Sequence, residues 1–380
     1  MVDVVVEGRV APGFERVVEA FERGFADHGE VGASLAAVVD GRTVVDVWAG
    51  WTDRARTTPW QPDTIVNLYS STKGFVAAAA AILADRGLLD VDAPVTRYWP
   101  EFGQAGKETI PVRWLLSHQA GLPVIDEPLP PGGALDWTTM IHALERQQPS
   151  WQPGTAMGYH ALTFGWLVGE VVRRITGQSI GGFVRDAIAR PIGVDLFIGM
   201  DAREDARTAD SLPPENSPLI TFDPQSLTAR AMTIVVPPAG ADVNSRAWRA
   251  AELPAVNGHG NARALARLYG CLARGGEIDG VRLLGGATID RFATEVVAGA
   301  DAVVGIPARR GLGFILRTAG TRYDWGTNDR TFGHSGAGGS LGFADPDARL
   351  GFGYAMNQTA PGLRADPRWA GLIDALYACL

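Results

Sequence analysis

The chain of 380 residues contains very little lysine. Of its 34 basic side chains only Lys73 and Lys107 are lysines, which leaves 32 arginines. Arginine keeps its charge at any physiological pH, whereas lysine can lose its proton when its surroundings lower its pKa. A lysine in such a chain can occupy a position whose function arginine cannot perform. Codon bias, with two lysines left by chance, explains the count equally well.

Basic clusters, long apolar runs and cysteines are also scarce. The formal net charge is −8, which argues against a nucleic-acid scaffold. The longest strongly apolar stretch covers residues 74–84, too short to span a membrane. Asp3 and Glu7 stand where a signal peptide needs basic and apolar residues, so we expect a cytoplasmic protein. Cys271 and Cys379 match no metal or redox spacing, and no metal or organic cofactor is expected.

Strand patterns lie near both ends of the chain and helical patterns in its middle. Residues 32–50 predict a hairpin that turns at Asp40-Gly41, because this dipeptide favours a two-residue hairpin loop. Further short strands are predicted at residues 311–318, 339–346 and 349–358. Helical periodicity is predicted for residues 11–28, 71–86, 112–118, 135–147, 160–176, 261–274 and 366–379. The stretch 212–240 is rich in proline and predicts a long irregular connection.

This order of elements indicates one domain inserted into another. Hydrophobic residues make up 46% of the chain and charged residues 20%, enough to bury a large core. Antiparallel strands from both ends can pair, so we expect an α/β (α+β) fold with an antiparallel sheet flanked by helices. We place the sheet domain at residues 1–67 and 297–380 and an inserted, mainly helical domain at 68–296.

Ser70 and Lys73 form an S-x-x-K motif at the start of the alanine-rich helix. Three residues make almost one helical turn, so the two side chains are neighbours on one face. Free backbone N–H groups at the helix start stabilise negative charge, and a nearby amine with a lowered pKa can accept the hydroxyl proton. An ordinary helix start with a capping serine and a solvated lysine fits the motif as well. Lys107, with Gln104 three residues before it, is predicted to be a solvated loop residue.

A second serine, Ser340, lies in the sequence G-x-S-x-G, which is typical of the nucleophile elbow of α/β-hydrolases. That fold needs a helix after the serine and a later histidine. Strand-like residues follow Ser340, and the last of the six histidines is His334. We therefore interpret this match as accidental and its glycines as part of a tight strand edge.

Two further segments carry candidate chemistry. Tyr159 precedes a helix and is either a packing residue or a phenol whose pKa nearby cations would lower, so that it could shuttle a proton. Residues 333–339 are rich in glycine and include His334. They form either a plain turn or a strand edge whose Ala337 N–H faces an oxyanion opposite the N–H of Ser70.

The order of these three motifs resembles the serine β-lactamase and penicillin-binding protein superfamily. Their spacing is most similar to class C β-lactamases and family VIII carboxylesterases. The resemblance covers roughly residues 30–380 and is weakest over 200–260. It is supported by the segments DTIVNLYSSTK, DRGLLDVDAPVTRYWPEF and LLSHQAGLP.

The resemblance implies roles for particular residues and an active site in the cleft between the two domains. Ser70 would be the nucleophile, with Lys73 and Tyr159 as the pair that activates it and protonates the leaving group. The backbone N–H groups of Ser70 and Ala337 would form the oxyanion hole. We expect substrate contacts from His334, Ser335, Gly336 and Trp325. The motifs do not fix the cleft walls, which we expect from residues 120–135, residues 212–245 and the loop near Trp325.

Two departures from the lactamase pattern favour esters over β-lactams. Ala161 stands where the lactamases carry an asparagine that contacts the substrate amide. His334 stands where they carry the lysine of K-T-G, which removes a permanent positive charge. Related esterases resemble this chain in having histidine there.

The leading hypothesis is a serine carboxylesterase that acts through an acyl-enzyme on Ser70. An acyltransferase that uses the same intermediate is the hypothesis ranked second. A β-lactamase or a D-amino-acid amidase or peptidase is the next alternative, and a non-catalytic ligand-binding module is the last. The expected partner is a small-molecule ester, without nucleic acid or membrane, and the sequence leaves the oligomeric state open. Lys73→Arg is predicted to fold normally and to lose ester turnover.

Overall fold

The computed structural model describes residues 4–213, 223–234, 243–360 and 366–380. Its helices, numbered α1 to α11 in chain order, span Glu15–His28, Thr72–Asp85, Val112–Leu116, Trp137–Arg146, Thr163–Thr176, Ile180–Val184, Leu227–Met232, Arg246–Ala250, Ala262–Ala273, Gly286–Ala293 and Pro367–Tyr377. Its strands, numbered β1 to β14, span Glu7–Val10, Gly32–Val39, Arg42–Gly50, Val66–Asn67, Leu196–Phe197, His259–Gly260, Glu277–Ile278, Val281–Arg282, Val297–Ala300, Pro307–Arg310, Ile315–Leu316, Phe332–Ser335, Leu341–Asp345 and Leu350–Met356.

Strands from both ends of the chain form one antiparallel sheet. Within the described ranges it has nine strands in the order β1-β3-β2-β14-β13-β12-β11-β10-β9. The N-terminal strands join the C-terminal ones where β2 pairs with β14, in a register that sets Ala36 opposite Gly353. The predicted antiparallel sheet flanked by helices is confirmed. The domain boundaries at 67/68 and 296/297 stay a prediction.

The hairpin of β2 and β3 turns where the sequence predicts it. Asp40 and Gly41 have φ values of 47° and 78°. Two successive positive φ angles define the turn whose twist matches that of paired strands, and Asp-Gly tolerates them. The strands β1, β9 and β10 were not predicted, because each has only four residues and no alternating pattern.

Helices cover both faces of the sheet. On one face α1 and α11 pack through apolar residues such as Phe21, Phe25 and Leu372. On the other face α9 lies unusually close to β14. A Cβ atom at Gly351 would come within 2.0 Å of the backbone nitrogen of Gly270 on α9. Glycine at that point of β14 therefore lets the helix and the strand touch through their backbones.

Helix α2 runs through the main core and carries the S-x-x-K motif at its start. All of its residues from Thr72 to Leu83 are buried, since small alanines allow close packing on every side. The helix ends before Gly87, whose φ of 70° is the left-handed conformation typical of a helix stop. Among the described residues no helix is both long and apolar enough to cross a bilayer.

Two expectations from the sequence need correction or fall partly outside the structure. The irregular connection predicted at 212–240 lies partly beyond the described residues, and within its described part Leu227–Met232 form α7. Lys107 is not a solvated loop residue. Its side chain is fully buried, and Nζ donates to the carbonyl oxygens of Glu145 at 2.9 Å and Gln147 at 2.7 Å.

Candidate active site

Ser70 lies in a single 3₁₀ turn, Tyr69–Ser71, directly before α2. The preceding residue, Tyr69, has a φ of 47°, an unfavourable conformation for a residue with a Cβ. It is held there from both ends. Its hydroxyl lies 2.6 Å from Ser211 Oγ, and its carbonyl accepts from Thr72 Oγ1 at 2.5 Å. The sharp turn brings the serine hydroxyl to the surface of a cavity, while residues Thr72 to Leu83 of α2 stay buried.

The amine of Lys73 is enclosed by three oxygen atoms. Nζ lies 3.2 Å from Ser70 Oγ, 2.7 Å from the Ala161 carbonyl and 2.8 Å from the Ala255 carbonyl. An uncharged amine has two N–H groups and one lone pair. Two N–H groups matched to two carbonyls leave the lone pair to face the hydroxyl of Ser70, which is the arrangement a general base needs.

The surroundings favour this uncharged form. Burial lowers the pKa of Lys73 well below its usual value, and the positive charge of Arg310 lowers it further. The rings of Tyr159 and Phe164 lie 4.8 Å and 6.0 Å from Nζ. Within the described part of the chain, no carboxylate contributes to this lowering of the Lys73 pKa.

Tyr159 lies before the start of α5, and its side chain is hydrogen-bonded to Ser70 next to Lys73. Its backbone N–H donates to Asp301 Oδ1 at 2.9 Å. The expectation of a lowered phenol pKa is wrong: burial raises the pKa of Tyr159, against the opposing effects of Ser70 and of the Arg310 and Arg322 charges. The phenol therefore keeps its proton at neutral pH and is suited to act as an acid.

Two buried histidines lie next to Tyr159: His118 packs against its ring, and His160 packs against His118. The ring of His118 lies 5.2 Å from that of Tyr159 and 5.0 Å from that of Phe164. His118 Nδ1 accepts the backbone N–H of His160 at 3.0 Å. His160 Nδ1 lies 2.7 Å from the Gly158 carbonyl, and its Nε2 accepts the backbone N–H of Leu122. Burial lowers the pKa of both imidazoles, that of His160 to about 4.

His334, Ser335 and Gly336 lie at the end of β12 and continue to Ala337. His334 is buried, and Nδ1 lies 2.8 Å from the Ser335 carbonyl, so Nδ1 carries the proton. Its Nε2 has no hydrogen-bond partner within the described residues. Burial and the neighbouring Lys73 lower the pKa of His334 well below its usual value. The ring is therefore a neutral acceptor and supplies no positive charge.

Ser340 connects the serine turn to the strand edge that carries Ala337. Its hydroxyl donates to the Leu68 carbonyl at 2.6 Å and lies 2.9 Å from Ser71 Oγ. Its side chain is buried. A Cβ at Gly336 would come within 2.4 Å of the Leu68 carbonyl oxygen, so the strand edge and the turn before Ser70 are in direct contact. Ser340 therefore stabilises the contact between the strand edge and the turn before Ser70, and it is not placed to act as a second nucleophile.

A cavity of about 210 Å³ opens beside Ser70. The predicted residues that line it are Ser70, Tyr159, His334, Ser335, Gly336 and Ala337. Apolar side chains supply most of the remaining wall: Leu162, Met232, Val256, Val304, Ile306 and Ile315. Its polar side also includes Arg322 and Tyr323.

Trp325 does not line this cavity. It is buried in the core beneath, and Nε1 donates to the carbonyl of Arg322 at 3.0 Å. The loop near Trp325 still reaches the cavity through Arg322 and Tyr323, and Met232 comes from the predicted wall 212–245. No lining residue comes from 120–135.

Asp301 and Arg310 are the neighbours that sequence reasoning missed. Asp301 contacts Tyr159 across 142 positions of the chain, and no local motif surrounds either residue. Asp301 directly follows β9, and Arg310 is the last residue of β10. Among the described residues no group of three or more His, Cys, Asp or Glu is arranged to hold a metal ion.

Comparisons with known proteins show the family to which the chain is similar. The family model described as Beta-lactamase matches residues 15–376. The chain is 37% identical to the Esterase/beta-lactamase LipL of Mycobacterium tuberculosis over 370 residues, which covers 93% of this chain and 83% of that protein.

Two solved structures are similar over nearly the whole chain. A family VIII carboxylesterase is 44% identical, with a TM-score of 0.91 over 99% of this chain and 100% of that one. A penicillin-binding protein homologue from Caulobacter crescentus is 39% identical, with the same TM-score and coverage. These likenesses extend through the helical and sheet elements that meet at Ser70.

Proposed function

The chain belongs to the beta-lactamase family, and on that premise we propose that it is a serine carboxylesterase whose nucleophile is Ser70. One observation carries the proposal: two carbonyls occupy the N–H groups of the Lys73 amine and leave its third position to Ser70 Oγ. The similarity to a family VIII carboxylesterase and to an esterase/beta-lactamase supports ester hydrolysis.

The first half of the reaction forms an acyl-enzyme. Lys73 takes the hydroxyl proton of Ser70 as Oγ attacks the ester carbonyl, and the backbone N–H groups of Ser70 and Ala337 stabilise the oxyanion. When the carbon–oxygen bond of the ester breaks, Tyr159 gives its proton to the leaving alkoxide. The ammonium of Lys73 then returns a proton to the phenolate, and both groups regain their starting forms.

The second half repeats these steps with water. A water molecule gives its proton to Lys73 and attacks the acyl carbon. The bond to Ser70 Oγ breaks, and the serine recovers its proton through Tyr159 and Lys73. Because Lys73 has a lowered pKa and Tyr159 a raised one, the base and the acid are assigned to different groups throughout.

Two features favour esters over β-lactams and other amides. The position two residues after Tyr159 is Ala161, whose methyl group cannot contact an amide as asparagine does. His334 is neutral, so it gives little attraction to the carboxylate of a β-lactam.

Parallel kinetics with a p-nitrophenyl acyl ester and nitrocefin test the proposal. The ester is expected to be turned over at least about 100-fold faster. Ser70→Ala should lower ester turnover by about 1,000-fold or more, while the matched variant Ser340→Ala keeps most of it. Nitrocefin hydrolysis at the ester rate, or ester turnover that survives in Ser70→Ala, would overturn the assignment.

We also propose the cytoplasm as its location. Both cysteines, Cys271 and Cys379, are unpaired, which fits a compartment that keeps thiols reduced. The net charge of −8 supports a small-molecule substrate over nucleic acid.

A further inference from the structure

A buried ion pair lies directly behind Tyr159. Arg310 Nη2 donates to Asp301 Oδ2 at 2.9 Å, and the exposed fractions of the two side chains are 1% and 0%. Two buried opposite charges cost desolvation, and well-packed apolar residues often replace them without loss of stability. A pair in this position therefore calls for an explanation beyond stability.

The carboxylate of Asp301 holds the backbone of two residues that line the cavity, Tyr159 and Val304. Its Oδ1 accepts three backbone N–H groups, those of Tyr159 at 2.9 Å, Val303 at 2.9 Å and Val304 at 3.0 Å. Val304 lines the cavity beside Ser70. One carboxylate thus fixes both the backbone of the tyrosine and the cavity wall next to it.

The guanidinium of Arg310 acts on the side-chain end of the same tyrosine. Its central carbon lies 5.2 Å from the centre of the Tyr159 ring, within the range of a cation–π contact. Asp301 therefore holds the residue by its backbone and Arg310 holds its ring.

We propose that Asp301 and Arg310 are positioning residues that hold Tyr159 against Ser70 and Lys73 and keep a positive charge behind the catalytic amine. The inference rests on the proposed ester hydrolysis. Neither residue lines the cavity, so both act through Tyr159 and Lys73.

The charge of Arg310 acts on Lys73, on Tyr159 and on three histidines around the amine. The titratable and charged groups that face Lys73 or share its surroundings are Tyr159, His118, His160, His334, Arg310, Asp301 and, farther out, Arg322 and Tyr323. Burial keeps the three histidines neutral. Arg310 is the charged group that acts on Lys73 itself, so it is the charge that favours the unprotonated amine.

The two halves of the pair should have opposite effects on the pH profile. Removing the cation in Arg310→Gln should make Lys73 easier to protonate. The acid limb of kcat/KM should then move to higher pH, by about one unit. Removing the anion in Asp301→Asn leaves Arg310 uncompensated and should leave that limb in place or move it to lower pH. A merely structural pair would affect both variants in the same direction.

The experiment measures kcat and KM for a p-nitrophenyl ester from pH 5 to 9, together with the thermal midpoint of each variant. At pH 7, Arg310→Gln is expected to lower kcat at least tenfold, and Arg310→Lys should restore the acid limb. The matched control is Arg309→Gln. Arg309 directly precedes Arg310 on β10, and its Nε pairs with Glu295 at 2.6 Å near the surface. This control should keep the wild-type profile.

An acid limb that moves to higher pH in Arg310→Gln, and that stays in place or moves to lower pH in Asp301→Asn, supports the proposal when the control shows neither change. A folded Arg310→Gln enzyme with kcat within threefold of wild type and an unmoved acid limb would overturn it, as would equal displacements in both variants. If Arg310→Gln does not fold, the neutral double variant of Asp301→Asn and Arg310→Gln takes its place, with the same upward displacement expected. Wild-type turnover that does not depend on Ser70 would instead refute the proposed function, and the positioning role with it.

Discussion

Both lysines of the chain lie in fully buried sites among backbone carbonyls. Lys73 reaches the carbonyls of Ala161 and Ala255, and Lys107 those of Glu145 and Gln147. Each site fits a slender ammonium or amine group at the end of an apolar stem. A planar guanidinium needs more room and cannot give up its proton. The two sites differ in one respect, because only Lys73 has a serine hydroxyl as its third neighbour.

Replacing Lys73 should abolish turnover. Lys73→Met keeps the length of the side chain and removes the base, so kcat for a p-nitrophenyl ester should fall by about 100- to 10,000-fold. Lys73→Arg should lose turnover to a similar extent. Its larger head enters a site with no exposed surface, so we now expect it to lower the thermal midpoint too, unlike the normal folding predicted from the sequence. Near-normal kcat in either variant would mean that Lys73 is not the base.

At the scale of elements, the last helix fixes the loop that carries a proposed oxyanion donor. Trp369 Nε1 donates to the Gly339 carbonyl at 2.7 Å, and Arg368 Nη2 donates to that of Gly338. Both carbonyls follow Ala337 directly. Helix α11 therefore sets the direction in which the Ala337 N–H can point, although its residues lie some thirty positions away.

Lys107 is predicted to stabilise the end of α4 without affecting catalysis. In Lys107→Met the carbonyls of Glu145 and Gln147 lose their buried donor, which should lower the free energy of unfolding by about 2 to 4 kcal/mol. Urea denaturation measures this difference.

The matched control is Arg146→Met on the same helix. Arg146 pairs with Glu127 at the surface, with exposed fractions of 55% and 36%, so its loss should cost less than about 1 kcal/mol. Equal losses in both variants would contradict a structural role for the buried lysine. Both enzymes should keep the wild-type kcat.

Local signals predicted the elements that local forces determine. Asp40-Gly41 located the hairpin, Gly87 the end of α2, and the apolar face of residues 261–274 gave α9, which spans Ala262–Ala273. The short strands β1, β9 and β10 at the two ends of the sheet depend on their neighbours for pairing, and their sequences show no periodic pattern.

The residues of the site that belong to a sequence motif could be predicted. The residues and properties that depend on contacts between distant segments could not. Ser70, Lys73 and Tyr159 are brought together as expected. The raised pKa of Tyr159, the burial of Lys107 and the Asp301–Arg310 pair each arise from packing between distant parts of the chain. The inward position of Trp325 has the same cause, since a loop sequence does not show which of its aromatic residues enters the core.

At the scale of the whole molecule, four buried histidines should make the fold sensitive to acid. Burial lowers the pKa of His160 and of His259 to about 4, and that of His118 and His334 well below its usual value. Below about pH 6.5 these side chains take up protons in the unfolded chain but not in the folded one. Stability should therefore fall as the pH drops from about 6.5 toward 4, by up to roughly 5 kcal/mol per pH unit.

Urea unfolding between pH 5 and 7.5 tests this dependence. His259→Gln should reduce the slope of stability against pH by about one proton, or about 1.4 kcal/mol per pH unit. The control variant is His142→Gln, because the His142 side chain is 57% exposed and does not belong to the buried set. A wild-type stability that stays constant from pH 7.5 to 5 would contradict neutral buried imidazoles.

Peptide mass spectrometry after reaction with a fluorophosphonate tests most directly the claim that Ser70 is the nucleophile. The account predicts one adduct per chain, on the peptide that contains Ser70, with ester turnover lost in proportion to labelling. Lys73→Met should react far more slowly. An adduct on Ser340, or full ester turnover by a chain already modified at Ser70, would contradict it.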